Sequence, residues 1–359
     1  MKRSATIDMT HGPLLGKILL FSLPLMASNI LQLLFNAADI VVVGRFAGSA
    51  SLAAVGGTGA VINLFTQLLI GLSVGVNVVI ARYLGLGGQG KEISRTLHTA
   101  VLVAMVGGVA LGAVGILSSG WVLDLTGVPD DVRPLALVYM RIYFIGTPFT
   151  MLYNYGAAAL RAAGDTRRPL FFLLISGMVN VVLNLISVIA LHMDVVGVAL
   201  ATVISQAVSA VLVLLCLSQT MGDLHFSWSW LCLDQHRLLD MAHVGIPAGI
   251  QSCLFSLSNV VIQGAVNSYG STIIAAVGAA SSIEGFIYIA MNSFHQAAQT
   301  FISQNLGAGK YGRIGRVLRI CLLSTLVIGV SLSALTVLLA HPLIGIYNGD
   351  PAVIQAGAE

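Results

Sequence analysis

The sequence predicts an all-α integral membrane protein made of two six-helix bundles that are related by a parallel repeat. Three observations support this fold class. The 359-residue chain is 57% hydrophobic and 9% charged, whereas soluble domains carry about 25% charged residues. Apolar segments long enough to cross a bilayer recur along the chain. Segments near its start also match later segments at a nearly constant offset.

The apolar segments are predicted to form nine spanning helices and a short stub after Pro351, because a span needs roughly 20 residues. The second and eighth segments are long and contain glycine, so we expect them to be tilted or bent. The first exceeds a signal-peptide core and lacks a cleavage-like site, so we expect it to remain. The segments cover residues 18–43, 52–80, 97–120, 134–159, 170–191, 195–217, 243–267, 272–303 and 317–340.

The basic residues of the connections fall mainly on one side of these helices. That side carries fourteen Lys and Arg residues, and the other carries only Arg45, Arg133 and Arg141. Positive charge marks the cytoplasmic side, so we predict a multi-pass protein of the bacterial cytoplasmic (inner) membrane with a cytoplasmic N-terminus. The fourteen are Lys2, Arg3, Lys17, Arg82, Lys91, Arg95, Arg161, Arg167, Arg168, Arg237, Lys310, Arg313, Arg316 and Arg319.

The repeat joins residues 51–57 to 273–279 and residues 79–91 to 301–313 at an offset of 222. Residues 21–41 likewise parallel 243–263, with a proline and an asparagine in common. The first unit holds six predicted helices, an even number, so the two units share one orientation. We therefore divide the chain into lobes 1–222 and 223–359. We expect the second lobe to be incomplete, with nine or ten helices present of twelve in the full protein.

A polar stripe surrounds an acid in the first apolar segment, where Ser28, Gln32, Asn36 and Asp39 recur at helical steps. A charge in hydrocarbon is costly, and an intramembrane acid indicates an ion or substrate pathway. Further stripes follow in the fifth and sixth segments, and such side chains can hold Na⁺ or a proton. Interhelical hydrogen bonding, worth about 0.6 kcal/mol per bond, is the alternative for the neutral residues. Those stripes are Ser176, Asn180, Asn184 and Ser187, then Thr202, Gln206 and Ser209.

The second unit carries its own acid, Glu284, on a polar face of the eighth segment. Acids in both lobes predict either separate roles, for a coupling ion and a cationic substrate, or a role for only one of them. Pro24 and Pro247 lie inside helices, where membrane neighbours tolerate them. We predict that both mark hinges. The polar face comprises Glu284, Tyr288, Asn292, His295 and Gln299.

Other functional classes find less support in the residues. The sequence has no Ser–His–Asp elbow, no HExxH motif and no nucleic-acid module, so we predict neither an enzyme nor a nucleic-acid partner. A receptor or scaffold fits poorly with interior acids. A flippase for lipids or lipid-linked oligosaccharides stays as the alternative. It requires a basic cleft, and Arg141 is the one interior residue that can contribute to it.

The motifs "NAADIVVVGRFAG" (36–48) and "ALRAAGDTRRP" (159–169) resemble those of the multidrug and toxic compound extrusion family. The second-lobe turn "QNLGAGKYGR" (304–313) also fits, and the resemblance covers the whole chain. It implies a V-shaped pair of bundles with a central cleft. It also implies a monomeric antiporter without a cofactor, which exports cationic or amphipathic small molecules in exchange for Na⁺ or H⁺.

In bacterial and archaeal members of that family, the first lobe holds the coupling cation. The resemblance places the site at Asp39, Asn180 and Thr202, which are also the implied Na⁺ ligands. Asn184 stands where many members have a second Asp. This difference removes one negative charge and leaves the coupling ion open. We place the substrate cleft at Gln32, Phe35, Asn36, Asn259, Glu284, Tyr288 and Asn292.

Overall fold

The computed structural model describes residues 6–87, 90–267, 269, 271–347 and 350–358. Within these ranges the chain is almost entirely helical and contains no strand. Two short π-helical segments extend α1 and α6, at Val43–Ala47 and Ile186–Ala190. The helices are α1 Leu14–Val42, α2 Gly48–Leu86, α3 Gly90–Leu125, α4 Arg133–Ile145, α5 Thr147–Ala162, α6 Arg167–Leu185, α7 Asp194–Gln219, α8 Gln235–Asn267, α9 Ser271–Gly307, α10 Tyr311–Leu338, α11 Ala340–Tyr347 and α12 Pro351–Ala358.

The membrane class is confirmed. Among the described residues eight helices are long and apolar enough to span a membrane, and α4 with α5 forms a ninth, broken span. The prediction of one helix over 134–159 is wrong in detail, because the chain bends by 43° between Ile145 and Thr147. Pro148 supplies the reason, since proline has no N–H to donate to the carbonyl one turn earlier.

The two longest helices are α2 and α9, with 39 and 37 residues. At 1.5 Å per residue each is more than 50 Å long, whereas the hydrocarbon core is about 30 Å thick. Each runs as one helix through its described residues, which leaves the predicted tilt or bend untested. Their tilt stays a prediction.

One end of the molecule gathers the basic connections of the described chain, and we call it the basic end. Lys17, Arg82, Arg95 and Arg168 lie near helix termini at this end, as do the basic residues 310–319. The predicted basic residues Lys2 and Arg3 lie outside the described residues. The opposite end, where α1 meets α2 and α3 meets α4, is called the far end.

The first lobe comprises α1 to α7, and its core lies between α2, α3, α5 and α7. Val76, Ile80, Leu97 and Val213 are buried in the half nearer the basic end. A second buried cluster fills the half nearer the far end, around Phe144. This core fixes the helices that carry the polar stripes.

The second lobe, α8 to α12, meets the first along α2. A Cβ atom on Gly71 would lie 2.5 Å from Gly249 Cα, and one on Gly75 would overlap the Met241 carbonyl. Glycine at these positions therefore allows the backbones of α2 and α8 to touch. Beyond Cys253, which contacts Leu64, α8 becomes exposed at Leu254, Phe255, Leu257, Val261 and Ile262.

The lobes are thus joined towards the basic end and separate towards the far end, as expected for a V-shaped pair with a central cleft. The buried amide of Asn77 illustrates the joined half. It donates from Nδ2 to the Ala158 carbonyl at 3.1 Å and accepts at Oδ1 from the Thr300 hydroxyl at 3.0 Å. The lobe boundary at residues 222/223 stays a prediction, because helix α1 packs on both lobes.

Helix α1 divides its contacts between the lobes. Near the basic end, Ile18 and Phe21 are buried with Phe294 and Phe301 of α9, and the rings of Phe21 and Phe301 meet edge to face at 5.6 Å. Nearer the far end, Phe35 fills the space that the missing side chain of Gly177 leaves on α6. Helix α1 therefore contacts the second lobe near the basic end and the first lobe nearer the far end.

Candidate functional site

The candidate site lies in the half of the first lobe nearer the far end, where α1, α6 and α7 meet. Asp39 stands on α1 one turn before the π-helical segment and is partly buried. The side-chain amide of Asn184 on α6 donates to Asp39 Oδ1 at 2.5 Å. The predicted acid is thus held by a neutral donor and has an ordered partner.

A chain of hydrogen bonds continues from this pair into α7. Asn184 Nδ2 also donates to Asn180 Oδ1 at 3.3 Å, and Asn180 Nδ2 donates to Thr202 Oγ1 at 3.5 Å. The Thr202 hydroxyl donates to the Val198 carbonyl at 3.0 Å. The structure therefore connects the four residues predicted to bind the coupling ion, across three helices.

The two asparagines are buried, with 5% of Asn180 and none of Asn184 exposed. Two buried acceptor oxygens, Asn184 Oδ1 and Gln206 Oε1, have no hydrogen-bond partner among the described residues. An unpaired buried acceptor costs roughly 1–3 kcal/mol. A bound cation or a proton donor can satisfy such an oxygen.

The helices that carry Asp39 and Asn184 both change to π-helical geometry within one turn of these residues. Single π turns interrupt the regular hydrogen-bond ladder and are frequent at functional sites. Sequence periodicity did not reveal them, since a π turn leaves no compositional signature. The hydrogen bond between Thr66 and Tyr143, at 3.1 Å between the hydroxyl oxygens, was also missed.

Several serines of the predicted stripes do not join the site. Ser28 donates to the Pro24 carbonyl at 2.8 Å, Ser176 to Leu173 and Ser209 to Gln206. A hydroxyl satisfied by its own helix has little need of a ligand. These serines therefore fit neither interpretation of the stripes, whereas Asn180, Asn184 and Thr202 do bond between helices.

The donor set fits a monovalent cation better than a multivalent metal. No group of three or more His, Cys, Asp and Glu side chains that could hold a metal ion occurs within the described ranges. The four connected side chains carry one formal charge, on Asp39. Asn184 also turns its nitrogen towards the carboxylate, so its oxygen must rotate before it can ligate Na⁺ beside Asp39.

The predicted cleft residues of the second lobe lie apart from this site. Glu284 and Tyr288 line a groove of about 930 Å³ between α9 and α10, whose other lining is mostly apolar. The rings of Tyr288 and Phe255 stack at 5.7 Å. Asn292 is half-buried, and Asn259 is exposed on α8. The second acid is therefore exposed in an apolar groove.

The remaining predicted residues belong mostly to α1. Gln32 and Asn36 are exposed, whereas Phe35 packs against Gly177 of α6. Pro24 and Pro247 lie inside helices that continue unbroken on both sides. Bending at either proline stays a prediction.

Comparison with known proteins identifies relatives over most of the chain. The MatE family model matches residues 24–186 and 247–359. The "Probable multidrug resistance protein YoeA" of Bacillus subtilis is 27% identical over 335 residues, covering 91% of this chain and 72% of that protein. An "FAD transporter" of Shewanella oneidensis is 27% identical over 368 residues, covering 96% and 78% respectively.

The fold has a solved counterpart. A structure described as the outward-facing conformation of a multidrug resistance MATE family transporter superimposes with a TM-score of 0.89 at 21% identity. The superimposed region covers 99% of this chain and 79% of the solved transporter chain. This likeness confirms the predicted two-lobe fold class.

Proposed function

The chain belongs to the MatE family of multidrug and toxic compound extrusion transporters, and on this basis we propose that it is a secondary active antiporter. It exports cationic or amphipathic small molecules in exchange for a monovalent cation. The observation that carries the proposal is the hydrogen-bonded chain from Asp39 through Asn184 and Asn180 to Thr202. These hydrogen bonds join the membrane-embedded acid on α1 to two other helices, α6 and α7.

The binding of a cation to Asp39 changes how α1 is held. The ionised carboxylate accepts a charge-assisted hydrogen bond from Asn184, and such bonds are about twice as strong as neutral ones. A proton or Na⁺ neutralises the carboxylate and weakens this contact between α1 and α6. The far-end half of α1 is then freer to move relative to the first lobe.

This local change can bias the transport cycle because the basic-end half of α1 is packed on α9. A ligand shifts a conformational equilibrium only by its difference in affinity for the two states. The contact between Asp39 and Asn184 provides such a difference if it is intact in one state and broken in the other. The coupling ion and the substrate then favour opposite states.

We favour H⁺ as the coupling ion. The Asn184 N–H that faces Asp39 remains a suitable donor to a protonated carboxyl, whose carbonyl oxygen still accepts. Na⁺ needs oxygen ligands, and here an amide nitrogen lies beside the carboxylate. The single charge on Asp39 fits one monovalent ion per cycle.

The groove that Glu284 and Tyr288 line supports the proposed substrate class. Ligand sites are mostly apolar with a few placed polar groups, and this groove presents one carboxylate among aliphatic side chains. The stacked Phe255 and Tyr288 rings add an aromatic surface. An amphipathic cation can bury its apolar part there and place its charge beside Glu284.

We also propose how the transporter is oriented and assembled in the membrane. The basic end faces the bacterial cytoplasm, as the positive-inside rule indicates, and the lobes open towards the outside at the far end. The transporter is proposed to act as a monomer in the inner membrane, as the family resemblance implies. The bilayer and the transported drugs are its partners.

The test is efflux of a fluorescent cation from proteoliposomes, with the pH and Na⁺ gradients imposed separately. We expect transport to require the pH gradient and Asp39→Asn to abolish it. Asp131→Asn, on an exposed far-end loop, is the matched control and should transport normally. Transport that requires only the Na⁺ gradient would assign Na⁺ instead, and normal transport by Asp39→Asn would refute the coupling site.

A parallel assay with FAD addresses the substrate class. The FAD transporter of Shewanella oneidensis is similar over most of this chain, and FAD is anionic where the proposed substrates are cationic. We expect no FAD transport, since the groove presents a carboxylate. FAD transport with no efflux of cations would refute the proposed substrate class.

A further inference from the structure

The segment before α1 forms a compact turn at the basic end, and we call residues 6–13 the strap. Its turn is organised by the Asp8 carboxylate, whose Oδ1 accepts from the Thr10 backbone N–H at 2.9 Å and the Thr10 hydroxyl at 3.0 Å. The Lys17 ammonium donates to the carbonyls of Asp8, at 2.5 Å, and His11, at 2.7 Å. The strap therefore has a defined shape that its own residues maintain.

One side of the strap contacts the first lobe. The Ile7 backbone N–H donates to the Gly164 carbonyl at 3.4 Å, in the loop between α5 and α6. Gly164 has φ +86°, and a Cβ there would lie 2.6 Å from the Ile7 carbonyl oxygen. This loop position therefore requires glycine both for its backbone conformation and for the approach of the strap.

The other side of the strap contacts the second lobe more extensively. Met9 is fully buried in a cluster with Phe294, Phe301 and Val317. Its carbonyl accepts from the buried Asn305 amide at 3.1 Å. The strap thus inserts an apolar anchor into the lobe to which it is not directly connected in sequence.

Two basic side chains of the second lobe complete this contact. Lys310 Nζ donates to the Thr10 carbonyl at 3.0 Å and lies 2.7 Å from His11 Nε2. Arg313 donates to the Gly12 carbonyl at 3.2 Å and to Asn305 Oδ1 at 3.1 Å. Charged donors thus meet strap carbonyls here, and hydrogen bonds to charged groups are stronger than neutral ones.

The lobes also touch directly next to the strap. The buried Gln304 amide on α9 donates to the Ala162 carbonyl at the end of α5 at 2.6 Å. Access to the cleft from the basic end requires α5 and α9 to separate at this point. The strap contacts both the loop that follows α5 and the turn that follows α9, so it must release one of them during that opening.

From these contacts we propose that the strap acts as a latch, which keeps the basic end of the cleft closed. Met9 of the strap and Lys310 and Arg313 of the second lobe hold the strap in place. In this role they stabilise the state that is open at the far end, and their release permits substrate to enter from the basic end. The proposal rests on the proposed transport function. It adds the residues that set the balance between the two states.

The experiment measures conformation directly, by electron–electron resonance distances between two spin labels at the basic end. The labels are attached at the exposed positions Arg167 and Tyr311, after Arg167→Cys and Tyr311→Cys. The background is the full chain with its four native cysteines replaced. We expect one short distance in the parent. In Lys310→Gln with Arg313→Gln, the population with a longer distance should rise about tenfold, equivalent to about 1.4 kcal/mol.

Met9→Ala is the second variant, because it removes the apolar anchor and leaves every charge in place. It should shift the same population in the same direction. Arg316→Gln with Arg319→Gln is the matched control, since both residues are exposed on the same helix and the same charge is lost. The control should keep the parent distance.

The outcomes separate this proposal from the transport function. Parent-like distances both in Met9→Ala and in Lys310→Gln with Arg313→Gln, together called the strap variants, would refute the latch. This holds even if Asp39→Asn abolishes efflux. A shift in the strap variants establishes the latch even if Asp39→Asn transports normally. A shift of equal size in the control would attribute the effect to net charge at the basic end and would also overturn the proposal.

Discussion

The two lobes place a carboxylate in contrasting surroundings. In the first lobe Asp39 is partly buried and bonded to Asn184, whose own partner Asn180 bonds to Thr202. In the second lobe Glu284 is exposed and lines an apolar groove. A network fixes the geometry around the first acid, whereas the second acts through charge in a wide space. The contrast suits a small ion in one lobe and variable organic molecules in the other.

After the loss of Asp39 itself, the largest expected effect comes from removing the donor that holds Asp39. Asn184→Ala leaves the carboxylate without its amide partner, and a hydrogen bond to a charged group is worth about 1.5–3 kcal/mol. We expect the initial rate of pH-driven efflux to fall at least about tenfold. Ser176→Ala, on the same helix and bonded only within it, should stay within about twofold. Equal losses in both variants would contradict a special role for the network.

A smaller and selective effect is expected in the second lobe. Glu284→Gln removes a charge that no network holds, so efflux of cationic dyes should fall roughly fivefold, on the order of 1 kcal/mol. Efflux of neutral amphipathic compounds should be retained. Tyr288→Phe keeps the stacking with Phe255 and serves as the control. If cationic and neutral substrates lose transport equally, the lobes do not divide their roles in this way.

The smallest effect concerns the strap, where the lobes meet. Slight burial raises the pKa of Asp8, but hydrogen bonds from Thr10 and His11 and the charge of Lys17 lower it to about 2. A depressed carboxyl pKa stabilises the fold above the unfolded value near 4, and this contribution is lost as the pH falls through the folded value. The Asp8 carboxylate should thus stabilise the parent relative to Asp8→Asn throughout pH 8 to 5, as measured by thermal unfolding.

Below that range the difference should shrink as the pH approaches 2. If the stability difference between parent and Asp8→Asn already changes between pH 7 and 6, a group other than the Asp8 carboxyl controls the turn. Asp223→Asn, at the same end but outside the strap, is the control for general effects of losing an acid. The thermal stability of Asp223→Asn relative to the parent should not show the pH dependence expected for Asp8→Asn.

The sequence identified polar residues that the structure brings together, but it did not separate them from polar residues that bond within their own helices. Asp39, Asn180, Asn184 and Thr202 were identified because polar residues at helical spacing are rare in apolar segments. The same reasoning selected Ser28, Ser176 and Ser209, whose hydroxyls bond within their own helices. Spacing alone cannot distinguish a serine that donates to a carbonyl of its own helix from an asparagine that bonds to another helix, because both residues fit the stripe.

Local geometry was less predictable. The break between α4 and α5 was missed although Pro148 lies there, since prolines elsewhere, such as Pro24, leave the helix unbroken. The π segments after Asp39 and Asn184 were not predicted either. Both depend on how neighbouring helices satisfy displaced backbone groups, which is a property of the packed bundle.

By itself the sequence determined the membrane class, the order of the spans, the internal repeat and the family. These follow from hydropathy, charge and motif spacing, which are properties of consecutive residues. The tertiary structure decided which polar groups meet, that Asp39 has a donor while Glu284 lies in a groove, and that the strap joins the two lobes. Such pairings connect residues as distant as Met9 and Asn305, and only the packing of whole helices brings them within hydrogen-bond reach.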